Sequence, residues 1–211
     1  MEVRNDTNSI DENRKGNELF PVFFRMDTLQ ITVIGGGAVG MEKVGAILKN
    51  SPSAKIKVIA PHIRQEITDL VSIHKGLELN FKPYESRDLD GSDLIIAATS
   101  IHELNTQIQK DAKNKRILIN VADTPDKCDF YLGSIVKKGN LKIAISTNGK
   151  SPTFAKRMRE LLDEVLPESI DTILQQLNEI RNSLKGNFEF KVKRMDEITK
   201  AMNEEKNHLK D

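Results

Sequence analysis

The run Leu29–Ile34 followed at once by Gly35-Gly36-Gly37-Ala38-Val39-Gly40 constrains the fold more than any other part of this 211-residue chain. Leu29–Ile34 is rich in β-branched residues and reads as a short strand. Val39, Val44, Ile47 and Leu48 then recur at helical spacing, Ser51-Pro52-Ser53 ends the helix, and Lys55–Ile59 reads as a second strand. Within that frame Gly35-x-Gly37-x-x-Gly40 has three separable duties. The first glycine permits the tight turn, the second lets backbone approach a pyrophosphate, and the third lets helix and strand pack closely. A glycine turn with only a structural role is the competing reading. The strand, turn, helix and second strand around it favour a dinucleotide site at a helix N-terminus.

The alternation continues. Ile63–Ile73 has a helical pattern, with Ile63, Ile67, Leu70 and Val71 on one face, and Leu77–Phe81 reads as a weaker strand. Leu94–Ala98 is a continuous apolar run, as in a strand covered on both faces. Leu104–Lys113 reads as a helix and Ile117–Val121 as another buried strand. Such alternation predicts a parallel sheet with right-handed crossovers. After Asp123 the character changes. Phe130–Val136 and Leu141–Ile145 are expected as two strands, and a helix opens with Ser151 as its N-cap and Pro152 in its first position. Beyond Pro167 the chain is charged and helical in pattern, and residues 1–18 read as a loose polar arm.

Composition narrows the function. Thirty-two basic and 31 acidic side chains leave a net charge of +1, so no single-sign field invites nucleic acid. The longest apolar stretch, Leu94–Ala98, is far short of the ~20 residues of a membrane span, and Met1–Asp6 lacks the apolar core of a signal peptide. Cys128 is the single cysteine; it cannot form an internal disulfide or a multi-cysteine metal site, and it reads as a partly buried, inert thiol in a cytoplasmic protein. No metal site is expected.

At the end of the second strand, where NAD sites usually place an acid on the ribose, the chain has Ala60-Pro61-His62. No acid there would repel a 2′-phosphate, and His62 with Arg64 would favour one. The Tyr-x-x-x-Lys pair of short-chain dehydrogenases is absent, since Tyr84 is followed four on by Asp88 and Tyr131 by Ile135. His62, His74, His102 and His208 are the only histidines available for hydroxy-acid chemistry; His102 lies just past a strand end but reads as a solvent-facing loop residue. Asp123 is the stronger candidate. It follows the strand Ile117–Val121 on the edge where open α/β sheets bind ligands, and partial burial is expected there. The competing reading is a turn-forming Asp before Thr124-Pro125.

Several segments occur in a telling order. They are Phe20-Pro21-Val22-Phe23, Gly35-Gly36-Gly37-Ala38-Val39, Ala97-Ala98-Thr99, Asn120-Val121-Ala122-Asp123, Cys128-Asp129-Phe130 and Ile143-Ala144-Ile145-Ser146-Thr147-Asn148-Gly149-Lys150-Ser151-Pro152. Together they resemble the precorrin-2 dehydrogenase/sirohydrochlorin ferrochelatase family, over roughly residues 19–167. The Ser-Thr-x-Gly-x-Ser-Pro segment is the most specific part. Three departures mark a divergent member: Ser100 where an acid is frequent, Gly133 where Pro is usual, and Gly40 where Ala is common.

The resemblance implies an α/β fold, with a Rossmann-type parallel sheet domain, a dimerisation segment and a small C-terminal helical domain. The expected divisions are 1–132, 133–166 and 167–211. It implies oxidation of precorrin-2 to sirohydrochlorin with NAD in a homodimer, and in many members insertion of ferrous iron. The family's catalytic Asp falls on Asp123. The expected cofactor contacts are Gly35, Gly37, Ala38, Val39, Gly40, Ala60, Pro61, His62, Thr99, Ser100 and Val121. A tetrapyrrole rich in carboxylates needs N–H donors and cations, and Ser146, Thr147, Asn148, Lys150 and Ser151 before the helix form the expected cradle. Lys156, Arg157 and Arg159 follow on that helix, as substrate contacts or as an ordinary solvated face. Two other readings stay open: a non-catalytic dinucleotide or tetrapyrrole sensor, and an oxidoreductase for another small metabolite. A sensor has no need of an acid at Asp123.

Overall fold

The structure is a computed structural model that describes residues 16–200; most of the polar arm expected over residues 1–18 lies outside them, as does His208. The described chain forms two compact units. The first runs to Gly133 and takes in Ser146–Pro152, and the second comprises Ser134–Ile145 with the residues from Thr153 on.

The first unit is built on five parallel strands, β1 (Gln30–Gly36), β2 (Lys55–Ile63), β3 (Leu77–Asn80), β4 (Leu94–Ala97) and β5 (Leu118–Val121), in the order β3-β2-β1-β4-β5. Successive side chains of a strand point to opposite faces, and both faces here are covered. Ile31, Val33, Ile56, Val58, Leu94 and Ile96 pack with Val44, Ile47 and Leu48 of α1 (Ala38–Asn50) and Ile67 of α2 (Gln65–Leu70). Ile34, Ile59, Ile95, Ala97, Ile119 and Val121 pack with Ile108 and Ala112 of α3 (His102–Asn114). The continuous apolar runs in the sequence are therefore strands buried on both sides. The expected α/β sheet is present.

Two expected elements differ. The helix expected over Ile63–Ile73 is only Gln65–Leu70, because β2 continues through Ala60-Pro61-His62 to Ile63. The pairing skips there, Ile34 opposite Ile59 but Gly36 opposite Ile63. Pro61, which has no N–H to donate, falls inside this irregularity. The strand expected over Phe130–Val136 begins only at Ser134. Phe130 and Leu132 instead pack against the core on the α1 face, and the Asn120 side-chain amide donates to the Phe130 carbonyl at 2.9 Å.

In the second unit, β6 (Ser134–Lys138) and β7 (Leu141–Ile145) form an antiparallel hairpin. Its Gly139-Asn140 turn has positive φ at Gly139 alone, as in type II′ turns. Helices α4 (Pro152–Val165), α5 (Ile170–Ser183) and α6 (Phe188–Thr199) follow, α4 starting at the expected Pro152. Lys138 binds Glu168 and approaches Asp163 at 3.7 Å. The Asp171 carboxylate accepts from the backbone and side chain of Asn140 at 2.7 and 2.8 Å, which fastens the hairpin turn to α5. Those hydrogen bonds, the backbone one foremost, hold the Asp171 carboxyl below its ordinary pKa.

Gly35, the last residue but one of β1, has φ +121°, and a Cβ there would lie 2.6 Å from the Ala98 carbonyl carbon. Gly35→Ala combines a forbidden φ with a backbone clash and should cost at least about 2 kcal/mol of stability. A urea midpoint equal to that of the unmodified chain would remove this steric role.

Candidate active site

The carboxyl ends of three neighbouring strands meet at one level. Ile34 pairs with Ala97 and Ala97 with Val121, so Gly35, Ala98 and Ala122 follow side by side at the same level. The Ala98 N–H donates to the Ile34 carbonyl at 2.8 Å and the Ala122 N–H to the Ala97 carbonyl at 2.9 Å. In open α/β sheets this edge, where connections diverge to opposite faces, is where ligands bind.

The glycines divide their labour there. Cβ atoms on Gly35, Gly36 or Gly40 would strike backbone, that of Ala98, of His62 and Ile63, and of Gly35 respectively. Gly37 is different. It is exposed, and a Cβ there meets nothing within 4 Å. The crowding of its neighbours thus leaves an open approach over one residue, at the N-cap of α1, whose first turn has no acid. That arrangement fits a pyrophosphate held by backbone N–H groups and the helix dipole. Ala38 is exposed beside it, and Val39 is half-buried.

Beyond β4, Thr99 and the buried Asn105 are knit together. The Asn105 side chain accepts from the Thr99 N–H at 3.2 Å and hydroxyl at 2.7 Å, and donates to the Thr99 carbonyl at 3.0 Å. Ser100 next to it is exposed. Past β2, Ala60 is buried whereas Pro61 and His62 are exposed. Arg64 follows, bonded to Glu66.

Asp123 lies two residues beyond Val121, in the left-handed region at φ +57°. It is exposed, so the partial burial expected from the sequence is not found; the chain has already left the sheet when it reaches this residue. What holds the turn is the segment Cys128-Asp129-Phe130. The Val121 N–H donates to the Cys128 sulfur at 3.2 Å, and the thiol lies 3.2 Å from the Val121 carbonyl and 3.4 Å from that of Thr124. The Asp129 N–H donates to the Ile119 carbonyl at 2.7 Å, and its carboxylate accepts from the Ile119 N–H at 3.1 Å and from Lys113 at 2.7 Å. With the Asn120–Phe130 bond, three consecutive residues clasp three consecutive residues of β5. Burial pushes the Cys128 thiol above its ordinary pKa, away from the thiolate that would make it reactive.

The expected substrate cradle is a turn in which the Ser146 and Thr147 hydroxyls are already hydrogen-bonded. Thr147 Oγ1 accepts from the Ser151 N–H at 3.3 Å, and Ser146 Oγ accepts from the Asn148 N–H at 3.2 Å and from Asn17 at 3.4 Å. Asn148 and Gly149 both have positive φ, and Asn148, Gly149 and Lys150 are exposed. Arg157 is paired with Glu160 at 2.9 Å, while Arg159 and Lys156 lie 3.9 and 4.0 Å from it.

The sheet edge thus gathers the glycine loop, Ala60–His62, Thr99–Ser100 and Val121–Asp123, while the Ser146–Ser151 turn is tied to itself and to Asn17. Sequence reasoning missed Glu66 and gave no role to the Cys128–Phe130 clasp. The Arg64-x-Glu66 spacing was the available signal for the first.

Residues 22–134 match the family described as "Putative NAD(P)-binding", and residues 138–164 the one described as "Sirohaem biosynthesis protein central". The chain is 37% identical over 167 residues to a siroheme synthase of Psychrobacter arcticus, covering 79% of this chain and 30% of the relative. It is 33% identical to that of Pseudoalteromonas translucida, covering 81% and 36%. The chain therefore spans about a third of the length of these curated relatives. A solved structure described as SirC, precorrin-2 dehydrogenase superposes with a TM-score of 0.67 at 26% identity, covering 85% of this chain and 89% of that one. No helix among the described residues is long and apolar enough to cross a membrane.

Gly37 supplies a direct check. Its φ of −81° suits any residue and its Cβ position is open, so Gly37→Val should leave the urea midpoint unchanged. The branched side chain would block one or two phosphate hydrogen bonds and weaken NAD by at least about tenfold. Unchanged affinity by calorimetry would sink the assignment of the loop.

Proposed function

We propose that this chain, which belongs to the family described as "Putative NAD(P)-binding" and is similar to siroheme synthases and to SirC, precorrin-2 dehydrogenase, oxidises precorrin-2 to sirohydrochlorin, with Asp123 handling the proton. The observation that carries this reading is the common level of the glycine loop and the Asp123 turn, set by the Ile34–Ala97–Val121 pairing. Bound NAD supplies the hydride acceptor. Oxidation removes one hydride and one proton from the macrocycle, and the proton goes to the Asp123 carboxylate or to a water it orients.

Exposure suits Asp123 to this task, since the group it must reach belongs to a substrate arriving from solvent. The clasp to Cys128, Asp129 and Phe130 fixes its backbone in advance. The Ser146–Ser151 turn, through the exposed side chains of Asn148 and Lys150, receives substrate carboxylates. In iron insertion the same Asp123 carboxylate would accept pyrrole protons or steer the arriving cation, with ferrous iron as substrate. The lone, inert Cys128 is in keeping with a reducing cytoplasm.

The decisive experiment is conversion of precorrin-2 with NAD by the purified chain, followed by the sirohydrochlorin spectrum, with and without ferrous iron. Asp123→Asn keeps the side-chain shape and removes the base. It should retain NAD binding and lose about 10²-fold or more in dehydrogenase rate, the usual worth of a general base, together with any iron insertion. A variant oxidising precorrin-2 at the unmodified rate would make Asp123 a turn residue only.

We also propose that residues 133–166 form a homodimer interface. Within them Phe154, Leu161 and Val165 of α4 are 57%, 50% and 67% exposed at helical spacing, an apolar stripe on one face. Light scattering at micromolar concentration should give twice the 23.8 kDa chain mass, and Leu161→Glu should lower it. A monomer in the unmodified chain would overturn the assembly.

A further inference from the structure

The carboxyl end of β2 holds a charged pair that the reaction does not use. Past Ala60 the strand stays beside the glycine loop, with Gly36 opposite Ile63 and the Arg64 N–H donating to the Gly36 carbonyl at 2.9 Å. Arg64 is therefore anchored through its backbone to the residue immediately before the open Gly37. In dinucleotide folds this strand end faces the adenosine ribose. An acid there holds the 2′-hydroxyl of NAD, and an arginine accommodates the 2′-phosphate of NADP.

Ala60, Pro61 and His62 supply no acid, but Glu66 does. The Arg64 guanidinium contacts it at two points, Nε to Oε2 at 3.2 Å and Nη2 to Oε1 at 2.5 Å. Both side chains are half exposed, 49% for Arg64 and 51% for Glu66. The contact holds the Glu66 carboxyl below its ordinary pKa, so the acid is ionised wherever the enzyme works near neutrality. The nearby Gln65 is bonded to Asp69 at 2.8 Å and does not compete for Arg64.

We propose that the Arg64–Glu66 pair discriminates between NAD and NADP: Glu66 holds the one arginine at this strand end and sets a negative charge beside it, which disfavours a 2′-phosphate. The inference rests on the dinucleotide reading of the glycine loop, and not on the identity of the substrate. An exposed ion pair is worth little, so Glu66 contests the arginine without locking it away; opening the pair costs a factor of roughly two to five. The outcome is a moderate preference for NAD. Arg64 is the group that takes the 2′-phosphate once Glu66 is neutral, and its planar fork suits a phosphate better than a point charge would.

Binding can be read without turnover, by titrating the full chain with NADH and NADPH and following nicotinamide fluorescence. The chain has no tryptophan to interfere. Glu66→Gln should shift the ratio of the two affinities toward NADPH by about fivefold, from loss of the competing pair and of its repulsion. The double variant Arg64→Ala, Glu66→Gln should abolish the shift, and added salt should shrink it. If both cofactors bind and the ratio is the same in all three proteins, the pair does not discriminate and the dinucleotide reading stands. If neither cofactor binds the unmodified chain, the dinucleotide reading falls, and this inference with it.

Discussion

The close approach of Gly35 to the Ala98 backbone is the constraint on which the ligand edge depends. β1 and β4 are adjacent parallel strands, yet the chain must leave β1 toward α1 on one face while β4 leads toward α3 on the other. The two exits can diverge only if one of them carries no side chain where they part. Gly35 meets that need at φ +121°, and Gly40 meets the next by allowing the first turn of α1 to sit on the Gly35 carbonyl. Packing so tight below leaves α1 with its N-terminus at the sheet edge, and the first residue with space above it is Gly37. The open position is a consequence of the crowding around it.

This explains why so much of the first unit was legible in the sequence. Strands buried on both faces must be apolar throughout, and Leu94–Ala98 and Ile117–Val121 announce themselves that way. Glycines forced by close contact occupy fixed offsets. Legibility fails where a structure is decided by contacts between distant residues. The end of β2 looked like the start of a helix because Ile63, Ile67 and Leu70 fall at helical spacing. The pairing of Ile63 with Gly36 and the Arg64–Gly36 hydrogen bond outweigh that local pattern. Phe130–Leu132 has strand-forming residues, but Asn120 takes the Phe130 carbonyl and the core takes the Phe130 and Leu132 side chains.

The Asp123 turn shows the same division. Its place beyond a buried strand could be read from the chain, whereas its exposure could not, since that depends on where the following loop travels. The loop is defined by its base: Cys128, Asp129 and Phe130 bind Val121, Ile119 and Asn120 across the strand end. A small sulfur donor that also accepts the Val121 N–H fits between the end of β5 and the Thr124 carbonyl with little bulk. Burial, which keeps this thiol protonated, is what makes it useful as a brace and unfit as a nucleophile.

In the proposed reading the two ends of the cofactor meet different chemistry, and the sheet order sets how far apart. Arg64 follows β2 and Asp123 follows β5, with β1 and β4 between them. Three strand spacings amount to about 14 Å. That exceeds the Debye length of about 8 Å at physiological salt, so exposed charges at the two ends barely sense each other. Sites so separated, with no shared partners, respond additively to substitution. A change of charge at Glu66 can therefore alter which dinucleotide is held without altering the carboxylate that receives the proton. The glycine loop over β1 stands between them and holds the part that both cofactors share. Such spacing lets cofactor choice drift in a family while the chemistry at the far strand end stays fixed.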